Sequence, residues 1–461
     1  MTVSNQAGKL TLKQKWVYGF GDTGFSLTST IVAAYFAIFL TDVVGVSPAI
    51  AAFAIFIGRT WDYLNDPLIG YLTDRTRTRW GRRRPFLLFG ALPFALVFTL
   101  MWWRPPLQAD WALAAYYAVV YVLYDACATL VYMPYFALTP ELTSDYDERT
   151  ALTSTRMFFS ILGSLVAFTI PLMMVGSWQA DNAGKVLLMG LVFGLASALP
   201  LWVVFFGTRE RQAYMQQAQP SLRQSLRAAL GNKPCIFGRI IFLFTWVSMD
   251  LLQTTLLYFI KYVVEKEPSS DLIMGTIFVT AVLVLPFWNW LAHRWNKRKA
   301  YIAGVAFWAA VQLVLVSLNP ATPLIWLIGL CVLAGIGVSA AHVLPWSIIP
   351  DAIEWGEYHT GERHEGMFYS LITLAQKVAS SIAVPLALLV LDVTNYLPNS
   401  AVQPASAVTG IRLIAGPIPA FLLCLGISFA VLYPLGRERY NQIKEELSAR
   451  RQPQEAQDDA H

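Results

Sequence analysis

The run Arg59-Thr-Trp-Asp62-Tyr-Leu-Asn65-Asp66-Pro67 holds the densest set of chemically capable side chains in the chain. Asp62 and Asp66 are four residues apart, which on a helix stacks the two carboxylates on one face. Arg59 precedes Asp62 by about one turn on roughly the same face. Two carboxylates this close repel in a low dielectric, and a proton or a metal cation between them relieves the repulsion. Oxygen ligands from both, with the amide of Asn65, suit a hard monovalent cation such as Na+. Pro67 lacks an N–H and releases a main-chain carbonyl of the preceding turn as a further ligand. The lesser alternative is an intrahelical Arg–Asp brace with no transported ion.

Other ionisable residues interrupt apolar stretches: Asp22, Asp125, Arg156, Asp250, Lys261 and Lys377. Near the centre of a membrane helix such a group costs at least about 2.5–3.5 kcal/mol, so it faces a cavity or a partner. Asp125, Thr129 and Tyr132 follow at steps of four and three and form an inward polar stripe. Thr129 can offer a hydroxyl to a cation, although a threonine in a helix commonly bonds back to its own main chain. Arg156 and Lys377 supply opposing charge, one from each half of the chain, and both can converge on a central cavity. Lys261 and Asp250 read equally as a snorkelling or structural pair and as something more.

These groups need elements to carry them, and the composition says which. Of 461 residues, 56% are hydrophobic and 14% charged, with a mean hydropathy of +0.50. Soluble domains carry about 25% charged residues. The deficit excludes a disordered chain, a nucleic-acid binder built on basic stripes and an ordinary cytosolic enzyme. A spanning helix needs about 20 mostly apolar residues. Twelve such stretches are predicted, at 17–40, 48–72, 86–103, 111–138, 151–176, 185–207, 235–263, 271–291, 300–318, 324–349, 367–391 and 412–436. The longest connection, Thr208 to Pro234, is polar and leaves six spans on either side. The expected organisation is an N-terminal segment 1–16, a six-helix bundle 17–207, a linker 208–234, a second bundle 235–436 and a tail 437–461.

Lysine and arginine set the orientation. With both termini on one side, that side collects twenty-five of them, against Arg104 and Lys266 in the opposite loops. The positive-inside rule then places the termini and the linker in the cytoplasm, with the chain as a multi-pass protein of the inner (plasma) membrane. No small-residue cleavage site follows the first span, so it is read as retained. The basic loop Thr73–Pro85 has a thinner counterpart, His293–Lys299, after the eighth span, in keeping with a two-bundle transporter built from repeats. The four cysteines lie in apolar stretches without metal or disulfide spacing. The five histidines show no metal spacing and no Gly-rich phosphate loop is present, so an enzyme is not expected.

Several motifs resemble the glycoside–pentoside–hexuronide:cation symporters of the major facilitator superfamily. They are Tyr18-Gly-Phe-Gly21, Thr41-Asp-Val-Val-Gly45, the Arg59–Pro67 run, Arg79-Trp-Gly81, Pro134-Tyr-Phe-Ala-Leu-Thr-Pro140, Arg156-Met-Phe-Phe159, Asp351-Ala-Ile-Glu-Trp-Gly-Glu-Tyr358 and Lys377, in the family's order. The resemblance implies an all-α membrane fold of twelve transmembrane helices in two six-helix bundles. It implies a cation site at Asp62, Asp66, Asn65 and Thr129, with Arg156 and Lys377 lining the sugar and coupling site and Arg59 near it. Departures are informative. Ser26 falls where melibiose carriers have an acidic sugar ligand, with Phe25 in place of the lysine beside it. Tyr132 replaces a second acidic ligand and Phe136 a sugar-stacking tryptophan. By helical spacing, Asp22 lies one turn from Ser26 and Asp125 two turns from Tyr132, so either can offer a substitute carboxylate.

The expected function is symport of a sugar or glycoside with Na+ or H+, without a cofactor and as a monomer in the lipid bilayer. A lysolipid carrier of the same superfamily, an uncoupled facilitator and a binding-only sensor are the alternatives. Arg75 and Arg82 oppose Asp351, Glu354 and Glu357 in sign on the same side, which suggests either an ionic gate between bundles or solvated loops.

Overall fold

The computed structural model describes residues 10–143, 146–209, 231–360 and 365–435, with a few residues of the tail. Most of the linker, Arg363 and the lysine and arginines of the tail fall outside the described residues, as do the side chains of Pro67, Asp145, Asp147 and Arg149.

Long helices dominate, in the order α1 Leu12–Ile38, α2 Pro48–Arg75, α3 Arg84–Met101, α4 Asp110–Leu142, α5 Tyr146–Val175, α6 Ala183–Gly207, α7 Lys233–Tyr258, α8 Ser270–Arg294, α9 Lys297–Leu315, α10 Leu324–Thr360 and α11 Glu365–Val393. The last span is broken into α12 Ala405–Ala415 and α13 Pro417–Val431. The break has a local cause: Pro417 has no N–H to donate, and Gly416 before it leaves the helical region. This span therefore starts seven residues before the expected 412. α10 runs eleven residues past the expected 349, because the acidic segment after Pro350 stays helical.

Starts and stops follow ordinary capping chemistry. Thr11 and Gln14 form a reciprocal capping box at the start of α1. Ser47 accepts from the Ile50 N–H ahead of Pro48 at α2. The far ends of α1 and α7 are both wound more loosely, as π-helical turns over Phe39–Val44 and Phe259–Val263. Gly45, with φ +95°, then reverses the chain after α1.

Eleven helices among the described residues are long and apolar enough to cross a membrane. α2 is not one of them, although its 28 residues give a length of about 42 Å. Arg59, Asp62, Asp66 and Asp74 dilute its apolar surface. The helix that fails on composition is the one carrying the acidic pair.

By packing, the chain forms two compact units. The first comprises residues 1–217 together with 253–275 and 384–411; the second comprises 218–252, 276–383 and 412–461. In the first, α1 lies along α5 and α6, α2 along α4, and α3 between α4 and α6. Tight seams rely on glycine: a Cβ at Gly58 would overlap the Tyr121 ring, and one at Gly163 would overlap the Ser26 hydroxyl. In the second unit α9 packs on α10 and α13 around a core of Trp288, Tyr301, Trp308, Leu344 and Leu423.

Candidate functional site

Two polar sets stand apart inside the first unit. The first lies between α2 and α4. Asn65 is 2% exposed, and its amide N–H group donates to both the main-chain oxygen and Oδ2 of Asp125, each at 3.2 Å. Its amide oxygen accepts no hydrogen bond among the described residues. Asp62 and Asp66 are half-buried on the same helix. Tyr121 of α4 sits within the field of Arg59, Asp125 and Asp62, which brings all four groups to one seam. The Thr129 hydroxyl makes no hydrogen bond back to α4, unlike Thr60, Thr99, Thr155 and Thr169 in their helices. The carboxylates of Asp62 and Asp66, the amide of Asn65 and the hydroxyl of Thr129 are the hard-oxygen groups that α2 and α4 carry.

The second set joins α1, α4 and α5. Asp22 is buried, and its Oδ2 is 3.9 Å from Nε of Arg156. This is an ion pair without a hydrogen bond, and Arg156 Nε is a buried donor with no acceptor among the described residues. The guanidinium carbon lies 4.8 Å from the Phe136 ring centroid, over its face. Phe25 meets the Tyr132 ring at 5.0 Å and the Phe136 ring at 5.5 Å, both edge-on. Tyr18 closes the set, with its hydroxyl 2.5 Å from that of Thr139, while the Tyr135 hydroxyl donates to the Tyr18 carbonyl at 2.7 Å. The arrangement is a cationic plane on an aromatic floor, held by one loose carboxylate.

Other expected ligands are engaged within the helix seams or lie in the second unit. Ser26 donates to the Thr23 carbonyl and packs against Gly163, inside the α1–α5 seam. The Tyr132 hydroxyl is buried without a hydrogen bond and points at Gly24. Asp125, which the spacing groups with Tyr132, is instead taken by Asn65 on α2. Lys377 belongs to the second unit, on α11, one turn before Ser380, which donates a short hydrogen bond to Asp250 of α7.

Of the gate candidates, Arg75 is exposed at the end of α2 and Arg82 half-buried in the loop that follows. Their neighbours Arg83 and Arg84 tie that loop to Thr73 and to the Phe205 carbonyl, at 2.9 and 2.6 Å. Asp351 accepts from Lys297 at 2.5 Å within the second unit, where Glu354 and Glu357 follow on the same helix, α10.

Sequence reasoning passed over Asp42. It is 1% exposed, and its carboxylate accepts from Lys261 at 2.6 Å and from the hydroxyls of Tyr262 and Tyr396. Of the two readings open for Lys261, the structure shows the ion pair. Asp42 lies in the Thr41–Gly45 motif, and an acidic residue before a glycine at a span end was the available signal.

Helices of membrane length with ionisable groups buried among them define a multi-pass membrane protein. The family model described as MFS/sugar transport protein matches residues 17–437, and the chain belongs to that family. Among curated relatives, a symporter of Synechocystis is 32% identical over 98% of this chain and 99% of its own. The putative glycoside/cation symporter YagG of Escherichia coli is 30% identical, covering 97% of both chains. The sodium-dependent lysophosphatidylcholine symporter 1-A of Danio rerio is 28% identical over 97% of this chain and 90% of its own. Among solved structures, a D-xylose–proton symporter superposes with a TM-score of 0.66 at 13% identity, over 92% of this chain and 97% of that one. At that identity the likeness speaks for the fold.

Proposed function

We propose that the protein is a cation-coupled symporter that carries a sugar or glycoside across the plasma membrane by alternating access, with both termini in the cytoplasm. The observation that carries this reading is the presence of two separate charged sets in one helical unit. A hard-oxygen set on α2 and α4 suits the ion, and the Arg156–Asp22–Phe136 set suits a polar substrate with an apolar ring face. Symport needs two sites whose occupancies favour one another, with a coupling of about 1–3 kcal/mol. Asp62, Asp66, Thr129 and the Asn65 oxygen would hold the cation. The neutral Asn65 oxygen favours Na+ over H+, because it can ligate a metal ion but does not take up a proton. Arg156 would donate to substrate hydroxyls through the N–H that lacks an acceptor, and Asp22 would accept.

A second reading is supported by the floor of the same set. Phe25 and Tyr132 stand where melibiose carriers have charged ligands and Phe136 where they have a tryptophan, and the Arg156 guanidinium lies over the Phe136 ring. That combination also suits the phosphate and chain of a lysolipid, which the Danio rerio relative is named for.

The test is uptake into proteoliposomes under imposed Na+ or H+ gradients, against disaccharides, pentosides, hexuronides and lysolipids, with Asp66→Cys alongside. Gradient-driven sugar uptake that the variant loses supports the proposal and names the ion. Uptake of lysolipid alone supports the second reading. Exchange indifferent to both gradients would return the α2 carboxylates to a structural role.

A further inference from the structure

The Asp42 carboxylate is buried and accepts hydrogen bonds from four side chains. Lys261 donates at 2.6 Å, the Tyr262 and Tyr396 hydroxyls donate to its two oxygens, and the Thr41 hydroxyl donates at 3.0 Å. A carboxylate has about four lone-pair sites, so this one is saturated. Lys261 also donates to the Trp178 carbonyl at 2.7 Å, and the Thr41 and Tyr258 hydroxyls are 2.8 Å apart. The Trp178 main-chain N–H in turn donates to Glu267 at 3.0 Å, and the Ala49 main-chain N–H donates to Asp392 at 3.2 Å. On one side of every tie but Thr41's own is a residue from the first half of the chain. On the other is a residue of 253–275 or 384–411, from the second half.

Stability alone does not call for this design. A buried ion pair is costly to desolvate, and well-packed apolar residues of equal volume often serve as well or better. The polar version has another property. Once parted, every donor and acceptor here can bond water, so the seam can open and re-form, whereas an apolar seam of the same area resists parting. Asp42 and Lys261 also both sit in π-helical turns, a winding frequent at functional sites.

We infer that Asp42 is a positioning residue of the transport cycle. Its carboxylate ties the end of α7 and the α11–α12 connection to the end of α1 that lies away from the chain termini. In each turnover it loses Lys261, Tyr262 and Tyr396 together and regains them. The inference rests on the alternating-access reading above, but not on the identity of the substrate or the ion.

The experiment uses the full chain in nanodiscs, without substrate, with its four cysteines replaced. Spin labels are placed at Leu107→Cys and Val402→Cys, both exposed in connections at that same end. Double electron–electron resonance reads the distance between them. Asp42→Asn is expected to raise the ratio of long to short distances about tenfold. Tyr396→Phe, which keeps the ring and removes one donor, should shift it in the same direction by less, and it serves alone if Asp42→Asn does not fold. Asp42→Glu should recover part of the short population. Distances that stay as in the parent while the melting temperature falls would make the cluster a structural tie and overturn the inference. Failure of the symport reading would appear instead as gradient-independent uptake by the parent protein, which leaves the distance measurement standing.

Discussion

Asn65 of α2 reaches across to α4 and holds Asp125 by both its main-chain oxygen and its carboxylate, at 3.2 Å each. One amide thereby sets the register of the helix that carries Asp62 and Asp66 against the helix that carries Thr129.

Asn65→Ala removes the tie and the oxygen together. A hydrogen bond to a charged group contributes about 1.5–3 kcal/mol, so the apparent cation affinity should fall roughly 10- to 100-fold. Uptake measured across a series of Na+ concentrations, and again across pH, checks this. A half-saturation point that moves less than about twofold would place Asn65 outside the ion site.

Arg156 predicts a split in the opposite sense. Lysine keeps the charge near Asp22 but loses the flat guanidinium that lies on Phe136. With about 1–2 kcal/mol from a desolvated cation–π contact, Arg156→Lys should raise the substrate KM roughly 5- to 30-fold. The cation half-saturation should stay within twofold of the parent. Parallel loss of both would mean that Arg156 serves the ion as much as the substrate.

Tyr132→Phe separates a ligand from a packing residue. Its hydroxyl is buried, makes no hydrogen bond and faces Gly24. An unsatisfied buried polar group costs about 1–3 kcal/mol, so removing it should leave the melting temperature unchanged or raise it. Transport should stay within about twofold of the parent. A marked rise in KM would show that the hydroxyl turns toward substrate in another state of the cycle.

How far these sites could be read in advance follows from what helical periodicity conveys. Span number came from run length, and α2 from its acidic pair at i and i+4, because both are properties of one helix. Periodicity gives the face of a residue but not the neighbour it meets. Asp125 and Tyr132 share a face of α4, yet Asn65 takes one and Phe25 the other, because α2 and α1 approach that face at different depths. Ser26 and Tyr132 disappear into seams because Gly163 and Gly24 let helices close on them. Asp42 was harder still. Its three second-half donors lie more than two hundred residues away, and nothing in a Thr-Asp-Val-Val run says that two tyrosines and a lysine will arrive.

The α2–α4 seam offers the most demanding check on the cation set, since it can be disturbed without touching a charge. A methyl at Gly58 would overlap the Tyr121 ring and come within 2.7 Å of the Tyr121 Cβ. Because that Cβ is fixed to the backbone, rotating the ring cannot relieve the clash, and α2 must move away from α4. Overpacking of this kind costs about 1–3 kcal/mol, so Gly58→Ala should lower the melting temperature. It should also weaken cation dependence, because Asn65, two turns along the same helix, would lose reach to Asp125. Tyr121→Ala removes the ring but leaves its Cβ, so adding it should recover only part of the stability, with a coupling between the two positions of about 0.5–3 kcal/mol. Additive losses in the double variant would show that α2 and α4 do not meet at Gly58 as described.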